Sequence, residues 1–313
     1  MNAGAAEVPA PTCTDWRGWS ADEIAPLLER EAGRWARDFH WDQREPFGYV
    51  EAARASGRLP GVVAVGPRGA ARGWTFFLRH ADEFQIGTMV SDGAATTRAL
   101  VDAALASPLA DRASIVLFTP AAPDLESVLQ THGVRVEPYD YLVAQNAQNA
   151  PDAPDARSAT GLRPMESADL GPVAALLGEA YRDARFLRPF VTGGAPDDWR
   201  HYVTQLVETR GCGEFLAEAS VVADDVSEPG LLSGAVIATR LHDDTGHIAQ
   251  IAVGSRARGQ GLARHMLECS RRALRTRGLS RVSLLVARTN TPARGLYDSA
   301  GFKPAGTFIT GIR

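Results

Sequence analysis

The stretch from Gly246 to Leu267 constrains this chain more than any other part of its sequence. An apolar run of strand length, residues 248–253, is followed by a glycine-rich turn and then by the amphipathic pattern of a helix. The first amides of a helix have no intrahelical acceptor, and the helix dipole adds a partial positive charge there. Because Gly259 and Gly261 carry no side chain, an anion can approach their backbone closely. The stretch therefore predicts a phosphate or pyrophosphate site.

Two common phosphate-binding motifs do not fit this stretch. The P-loop requires a Lys-Ser or Lys-Thr pair after its glycines, and no such pair follows here. The dinucleotide motif requires a third glycine three residues after the second, and that position holds Arg264. NAD and FAD are therefore not the expected ligands.

Two motifs instead resemble those of the GNAT superfamily of N-acetyltransferases. Residues 256–261, Arg-Ala-Arg-Gly-Gln-Gly, fit its Arg/Gln-x-x-Gly-x-Gly/Ala signature at every defined position. Residues 290–302 resemble its second motif, Asn-x-x-Ala-x-x-Leu-Tyr-x-x-x-Gly-Phe. The motifs stand in the expected order, with a predicted strand at residues 282–286 between them.

The resemblance implies acetyl-CoA as acyl donor, with no metal ion, and suggests which residues hold it. In this family the pantetheine arm lies in a gap between the fourth and fifth strands, and the amides of the glycine-rich turn hold the diphosphate. Tyr297 would be the general acid for the departing thiolate; the alternative is a helix aromatic that packs on the sheet. Asn290 would contact the pantetheine, cap the following helix, or do both. The residues assigned to the cofactor are Ile251, Ala252, Val253, Arg256, Arg258, Gly259, Gln260, Gly261, Leu262, Ala263, Asn290 and Tyr297.

The general base is where this sequence departs from the family pattern. Many members place a glutamate on the fourth or the fifth strand, but the matching positions here are Ala249, Gln250 and Leu285. His247 is the predicted catalytic base because its ordinary pKa suits that role, and an exposed histidine at the strand end is the alternative. Other candidates remain open, and the amine could also arrive already deprotonated. These other candidates are Glu214, Glu218, Tyr181 and Asp183.

The acceptor pocket is expected at the loop after the first helix of the second half of the chain. The predicted acceptor-binding residues are Tyr181, Arg182 and Phe186 in this loop, with Gln250 on the neighbouring strand. Arginines at this place would suit an acceptor that carries a carboxylate or a phosphate. The alternative is a solvated loop that its phenylalanines anchor to the core.

Composition limits the partners of the chain. A net charge of −4 without a basic cluster argues against nucleic acid and against an anionic membrane surface. The three cysteines are widely separated, which indicates a reducing cytoplasm and neither a disulfide framework nor a metal site. No apolar run approaches the length of a membrane span. The expected partner is a small-molecule amine, and the chain is expected to be a monomer or a homodimer.

The predicted elements follow the same order twice, at an offset of roughly 165 residues. We therefore expect an α/β (α+β) fold of two tandem GNAT-like domains, each a mixed, mostly antiparallel twisted sheet flanked by helices. The predicted parts are a disordered N-terminus at 1–14, a degenerate domain at 15–145, a linker at 146–160 and an acetyltransferase domain at 161–313. The first domain is predicted to be degenerate because Gly93, Thr96 and Arg98 stand where the second has Arg256, Gly259 and Gly261, and Leu129 stands where it has Tyr297.

The sequence as a whole predicts an acetyl-CoA-dependent N-acetyltransferase that acts by direct transfer on a primary amine of a small molecule. Two alternatives remain. One is a protein or peptide N-acetyltransferase, and the other is a non-catalytic acyl-CoA-binding protein, which the missing glutamates favour.

Overall fold

A computed structural model describes residues 10–146, 161–184, 190–191 and 193–313 of the chain. The predicted disorder of residues 1–9, the predicted linker residues 147–160 and Phe186 lie outside the described residues. The chain divides into two compact units. Unit 1 contains the described residues up to Glu31, Phe47–Pro138 and Thr307–Arg313, and unit 2 contains Ala32–Pro46 and the described residues of Tyr139–Gly306.

The helices and strands follow one order in both halves of the chain. The first half contains β1 Thr12–Asp15, α1 Ala21–Asp38, α2 Arg44–Ala55, β2 Gly61–Val65, β3 Ala71–His80, β4 Glu83–Ser91, α3 Ala94–Leu105, β5 Ser114–Pro120, α4 Leu125–Thr131 and β6 Arg135–Gln145. The second contains β7 Leu162–Pro164, α5 Leu170–Tyr181, α6 Pro196–Glu208, β8 Glu214–Phe215, β9 Val221–Asp224, β10 Leu232–His242, β11 Thr245–Val253, α7 Leu262–Thr276, β12 Arg281–Ala287, α8 Thr291–Ser299 and β13 Lys303–Ile312. The predicted repetition is therefore present, with β8 as an addition in the second half.

Each unit has a mixed sheet in which one neighbouring pair of strands is parallel. In unit 1 the strand order is β1-β2-β3-β4-β5-β13, and β4 and β5 are the parallel pair. In unit 2 the order is β6-β12-β11-β10-β9-β7, with β8 beside β10, and β11 and β12 are the parallel pair. The predicted fold class is confirmed.

The last strand of each half belongs to the sheet formed by the other half. Residues 139–145 of β6 pair with β12, and residues 308–312 of β13 pair with β5, both antiparallel. The compact units therefore differ from the predicted domains at 15–145 and 161–313, because sheet pairing takes these two strands across the predicted boundary.

Three local predictions need correction. Residues 12–14 belong to a paired strand, β1, and are not part of a disordered N-terminus. Asn146 is not a linker residue, because it is buried and its side-chain amide donates to the carbonyls of Arg271 and Leu279. The sequence pattern at 215–223 also predicts a single strand, but a helical turn at Ala217–Ala219 interrupts it, so that two short strands, β8 and β9, replace it.

Helix α7 is held close to its sheet by glycines on the strands beneath it. A Cβ atom at Gly234 would lie 2.6 Å from the Met266 side chain, and one at Gly246 would lie 2.8 Å from that of Leu274. Met266 and Leu274 are fully buried. The close packing fixes the position of the helix N-terminus relative to the end of β11, which is where the phosphate site was predicted.

No helix in the described ranges combines the length and the apolarity of a membrane span. Cys13, Cys212 and Cys269 are all free thiols. The described residues also contain no group of histidine, cysteine and carboxylate side chains that is arranged to hold a metal ion.

Candidate active site

Strands β11 and β12 diverge at the centre of the unit 2 sheet. They pair in parallel from Thr245 to Ile248, opposite Arg281 to Leu284, and the pairing stops there. Strand β11 continues to Val253 and remains paired with β10, while β12 continues to Ala287 and remains paired with β6. Among the described residues, no strand pairs with residues 249–253 on the side that faces β12. The backbone of Ile251, Ala252 and Val253 therefore borders an open gap in the sheet.

The glycine-rich turn lies directly beyond the end of β11. Gly259 and Gly261 have positive φ angles of 77° and 81°, a conformation that residues with side chains adopt at a cost. The space that a Cβ atom would take at either glycine is open to at least 4 Å. Gly261 is the N-cap of α7 and supplies no side-chain cap, so the first amides of this helix are available to an anion. Leu262 and Ala263 form its first turn.

The polar side chains of this turn mainly hold its shape. Arg258 donates to the carbonyl of Val253 at 3.2 Å and to that of Ala180, in the last turn of α5, at 3.0 Å. Gln260 donates to the carbonyl of Arg256 at 3.0 Å, and Arg256 forms an ion pair with Glu228. The sequence suggests that both arginines add positive charge beside the glycines, but in the structure Arg258 braces the turn and Arg256 is paired with a carboxylate.

Tyr297 lies on α8, which follows β12. Its side chain is 4% exposed and contacts the ring of Phe302 edge to face, with centroids 5.8 Å apart. Burial, and then the nearby phenol of Tyr181, raise the pKa of Tyr297. The phenol is therefore protonated at neutral pH, as a general acid must be. Asn290 is the N-cap of α8 and accepts from the amide of Ala293 at 3.4 Å, so its predicted capping role is confirmed.

His247 is buried rather than exposed at the strand end. Its ring is 3% exposed, its Nδ1 lies 3.0 Å from the hydroxyl of Ser283, and it contacts the rings of Trp41 and Tyr141. Burial lowers the pKa of His247 to about 3. A group that binds a proton so weakly is a poor base for an amine, so these surroundings argue against the predicted catalytic role.

The buried histidine predicts acid sensitivity of the fold. Unfolded chain binds a proton at His247 near pH 6.5 and folded chain only near pH 3, so unfolding takes up a proton between these values. The free energy of unfolding should fall as the pH is lowered from about 6.5 to 4, by up to roughly 1.4 kcal/mol per pH unit from this residue. Urea unfolding should show a smaller decrease in the free energy of unfolding between pH 7 and pH 5 for His247→Gln than for the wild type. The exposed His80→Gln variant should keep the wild-type loss, and an equal loss in both variants would contradict the prediction.

Gln250, which follows the bulge in β11, is fixed between two phenols. The hydroxyl of Tyr181 donates to its Oε1 at 3.0 Å, and its Nε2 donates to the hydroxyl of Tyr202 at 2.6 Å. The ring of Tyr181 stacks on Trp199 with centroids 5.6 Å apart, and Tyr202 stacks on Phe190 at 4.8 Å. Two of the predicted acceptor residues, Tyr181 and Gln250, are thus in direct contact. Arg182 is exposed in the turn after α5, and Phe186 lies outside the described residues.

Sequence reasoning did not identify Trp199 and Tyr202 as part of this site. Both lie on α6, three residues apart, and therefore share one face of the helix. That spacing is also the pattern of ordinary core packing, which is why it carried no functional signal. The contact with Gln250 spans 48 residues of sequence.

Comparison with known proteins agrees with this geometry. The model of the acetyltransferase (GNAT) family matches residues 183–302, which include both the gap and the glycine-rich turn. The part of the chain that contains the candidate site is therefore similar to the GNAT family of acetyltransferases. Two curated relatives, the mycothiol acetyltransferases of Acidothermus cellulolyticus and Beutenbergia cavernae, are 41% and 42% identical to this chain over 68 and 60 residues. These stretches cover 22% and 19% of the chain, and they span only about a fifth of each relative, 21% and 20%.

Solved GNAT structures share the fold over most of the chain. The GCN5-related N-acetyltransferase from Sphaerobacter thermophilus superposes with a TM-score of 0.59 at 19% identity, over 81% of this chain and 80% of that one. A tandem GNAT protein from the clavulanic acid biosynthesis pathway superposes with a TM-score of 0.52 at 14% identity, over 82% of both chains. At these identities the likeness establishes the fold alone, and it confirms the predicted tandem GNAT arrangement.

The described residues of unit 1 contain no counterpart of the glycine-rich turn between β4 and α3. Only Asp92 and Gly93 separate β4 from α3, whereas residues 254–261 separate β11 from α7. Thr96 and Arg98, which were matched to Gly259 and Gly261, therefore lie inside α3. The turn of unit 1 is shorter than that of unit 2, and does not simply carry other residues in place of the glycines. The Asp92 carboxylate accepts from the Thr96 hydroxyl at 2.6 Å beside the helix N-terminus, where it would repel a phosphate.

The divergence of β4 and β5 in unit 1 is bridged by side chains. Pairing stops after Ile86 and Leu117, as it does after the matching residues of unit 2. Beyond that point the amide of Met89, which matches Ile251, donates to the Thr119 hydroxyl at 3.0 Å. The ring of Phe76 covers Gly87 so closely that a Cβ atom there would lie 2.2 Å from it. The Met89 amide, whose counterpart in unit 2 borders an open gap, is thus used internally in unit 1.

Proposed function

We propose that this chain is an acetyl-CoA-dependent N-acetyltransferase that transfers an acetyl group directly to a primary amine of a small-molecule acceptor. One observation carries the proposal: the gap between β11 and β12 leads straight to an uncapped helix N-terminus with two glycines of positive φ. An extended gap with polar backbone edges suits a pantetheine arm, and the helix N-terminus suits a diphosphate.

The residues present fit this donor. We assign the diphosphate to the backbone from Arg258 to Ala263, where the open space above Gly259 and Gly261 admits it. The backbone of Ile251, Ala252 and Val253 would hold the pantetheine amides. Bound there, the thioester supplies an activated acyl group with a good leaving group. Asn290 contributes by starting α8, and this helix carries Tyr297.

Tyr297 is proposed as the general acid that protonates the departing sulfur. Its raised pKa keeps the phenol protonated, and its place on α8 beside Tyr181 puts it near the proposed acceptor wall. Tyr181 and Gln250 are proposed to position the acceptor amine, since their mutual hydrogen bond fixes both polar groups. No role as base is proposed for His247, given its burial.

A small-molecule acceptor is supported by the names of the two curated relatives, both mycothiol acetyltransferases. Because those matches span about a fifth of each relative, the identity of the acceptor does not carry over. Unit 1 is proposed to be a scaffold without a cofactor site, since its turn is shortened and its Met89 amide is engaged. A cytoplasmic location and a monomer or homodimer remain predictions from the sequence.

A second candidate function is a non-catalytic acyl-CoA-binding protein. It is favoured by one specific observation: neutral residues occupy 249, 250 and 285, where relatives in the family place a catalytic glutamate, and the remaining candidate, His247, is buried. Both candidates predict CoA binding to unit 2. Only the enzyme predicts release of free thiol that depends on an amine.

The test is to incubate the full chain with acetyl-CoA and a library of primary amines and to follow free thiol. The library should include amino sugars, amino acid amides, polyamines and short peptides, because a preference for peptides would replace the small-molecule acceptor. Amine-dependent thiol release well above the rate of thioester hydrolysis is the expected result. Tight CoA binding in calorimetry without thiol release from any amine would favour the binding protein.

A further inference from the structure

We infer that the acceptor amine enters the site uncharged, so that the protein selects weakly basic amines, such as α-amino groups and amino sugars, over alkyl ammonium groups. This inference rests on the proposed acetyl transfer and names the substrate class of the same site. It follows from which side chains border the gap between β11 and β12, and from how their polar atoms are already engaged.

No carboxylate borders the gap on the strands that form it. Beyond the last paired residues, the described part of β11 carries Ala249, Gln250, Ile251, Ala252 and Val253, and the described part of β12 carries Leu285, Val286 and Ala287. An ammonium group in such a gap would lose its hydration without gaining a counter-charge, which costs far more free energy than placing a neutral amine there. The strands therefore favour the neutral form.

Two of the three carboxylates considered as bases are engaged in ion pairs. Glu214 forms an ion pair with Arg240, and Glu218 forms one with Arg277. Asp183 is exposed in the turn after α5. The neighbouring residues outside the described ranges, 185–189 and 192, are Arg-Phe-Leu-Arg-Pro and Thr, so that their sequence contains neither a carboxylate nor a histidine.

The polar groups on the acceptor side are dipoles that hold one another in place. Gln250 uses its oxygen to accept from Tyr181 and its nitrogen to donate to Tyr202. Burial raises the pKa of Tyr202 and that of Tyr297, so both phenols are neutral and add no negative potential. Tyr202 thereby acts as a positioning residue, because it fixes which end of the Gln250 amide faces Tyr181.

The reaction balances without a separate base when the amine is neutral. The lone pair of the amine nitrogen forms a bond to the acyl carbon, and the carbon–sulfur bond breaks with its electron pair on sulfur. Tyr297 gives its proton to sulfur and recovers one from the nitrogen, so that amide and thiol form with no net proton released. With an alkyl ammonium, one further proton would have to leave first, and the described side chains of β11 and β12 beyond their last paired residues include no group that takes it.

The test compares two acceptors that differ in basicity, the α-amine of alaninamide and the ε-amine of Nα-acetyl-lysinamide. Their pKa values are about 8 and about 10.4. Thiol release by the full chain is measured as kcat/KM from pH 6 to pH 10.5. We expect the rising limb to follow each amine, with a plateau above about pH 8 for alaninamide and a continued rise for the lysine derivative, and a preference for alaninamide of about a hundredfold at pH 7.

The second arm of the test places a negative charge at residue 250, which directly follows the bulge in β11. Gln250→Glu should lower the preference for alaninamide at pH 7 at least fivefold, because the new carboxylate offers the ammonium a counter-charge and a proton acceptor. Gln130→Glu, the same change at an exposed position of α4 in unit 1, should leave both profiles unchanged. Rising limbs with the same midpoint for both amines would identify a base in the protein and overturn the inference alone. Absence of thiol release from every amine at every pH would overturn the proposed function as well.

Discussion

Gly259→Glu is expected to raise the dissociation constant of CoA at least a hundredfold while the chain stays folded. Gly259 has a φ angle of 77°, and the space beside its Cα is open. A side chain there costs about 1–2 kcal/mol of backbone strain, fills the approach to the helix N-terminus and brings a negative charge next to the diphosphate. Isothermal titration of CoA into wild-type and variant protein measures the effect.

The matched control for this prediction is Gly69→Glu. Gly69 lies in the turn between β2 and β3 of unit 1, also has a φ angle of 77°, and also has open space beside its Cα. It therefore carries the same backbone strain and the same added charge in the unit that does not contain the proposed site. CoA affinity should remain as in the wild type. Unchanged CoA affinity in Gly259→Glu would place the diphosphate elsewhere and reject the proposed site.

Tyr297→Phe is expected to lower kcat for acetyl transfer by about a hundredfold or more, with little change in the affinity for CoA. The phenylalanine keeps the packing against Phe302 and removes only the proton donor. Because burial raises the pKa of Tyr297, its phenol stays protonated from pH 6 to pH 9, and the loss should be the same throughout that range. Stopped-flow or steady-state thiol release measures kcat, and calorimetry measures the affinity.

Tyr141→Phe provides the matched control. Tyr141 is also buried in unit 2, where its hydroxyl donates to the carbonyl of Phe39 on the loop after α1. Its replacement should lower the free energy of unfolding by about 1–3 kcal/mol, as the loss of a buried hydrogen bond does, and leave kcat nearly unchanged. Full activity of Tyr297→Phe would show that this tyrosine serves only in packing and that solvent protonates the departing sulfur.

Local features of this fold could be predicted from the sequence because they depend on residues that are close along the chain. Ser20 and Glu23 have the sequence spacing of a capping box, and they form one at the start of α1, with the Ser20 amide donating to the Glu23 carboxylate at 2.8 Å. The glycine-rich turn before α7 and the Asn290 cap of α8 also lie where their motifs placed them. In each case the side chain or the glycine determines the conformation of its own few neighbours.

The exchange of β6 and β13 could not be predicted in the same way. Both are long strands at the end of their halves. The apolar pattern of each strand is compatible with pairing to β5 and also with pairing to β12. What selects the partner is packing between residues far apart in sequence, such as the bond from the Thr310 hydroxyl to the carbonyl of Leu117, 193 residues away. Hydrophobic periodicity does not contain this information.

The site shows the same division between local and distant information. The position of Gln250 on β11 follows from the motif, but its two phenol partners come from α5 and α6. His247 was predicted as a base because the ordinary pKa of a histidine suits that role. Trp41, Tyr141 and Ser283 enclose it, and all three are distant in sequence.

The exchanged terminal strands have a consequence for how the protein is made. During synthesis on the ribosome, unit 1 cannot complete its sheet until β13 has emerged, long after β5. Until then the edge of β5 is exposed, and β6 has no partner strand because β12 has not yet been synthesised. Both halves must therefore be synthesised before either can become fully native. If the gene were divided within the codons for residues 147–160, each of the two products would lack one strand of its sheet. Co-expression of the two products in one cell should restore the complete sheets, which neither product can form alone.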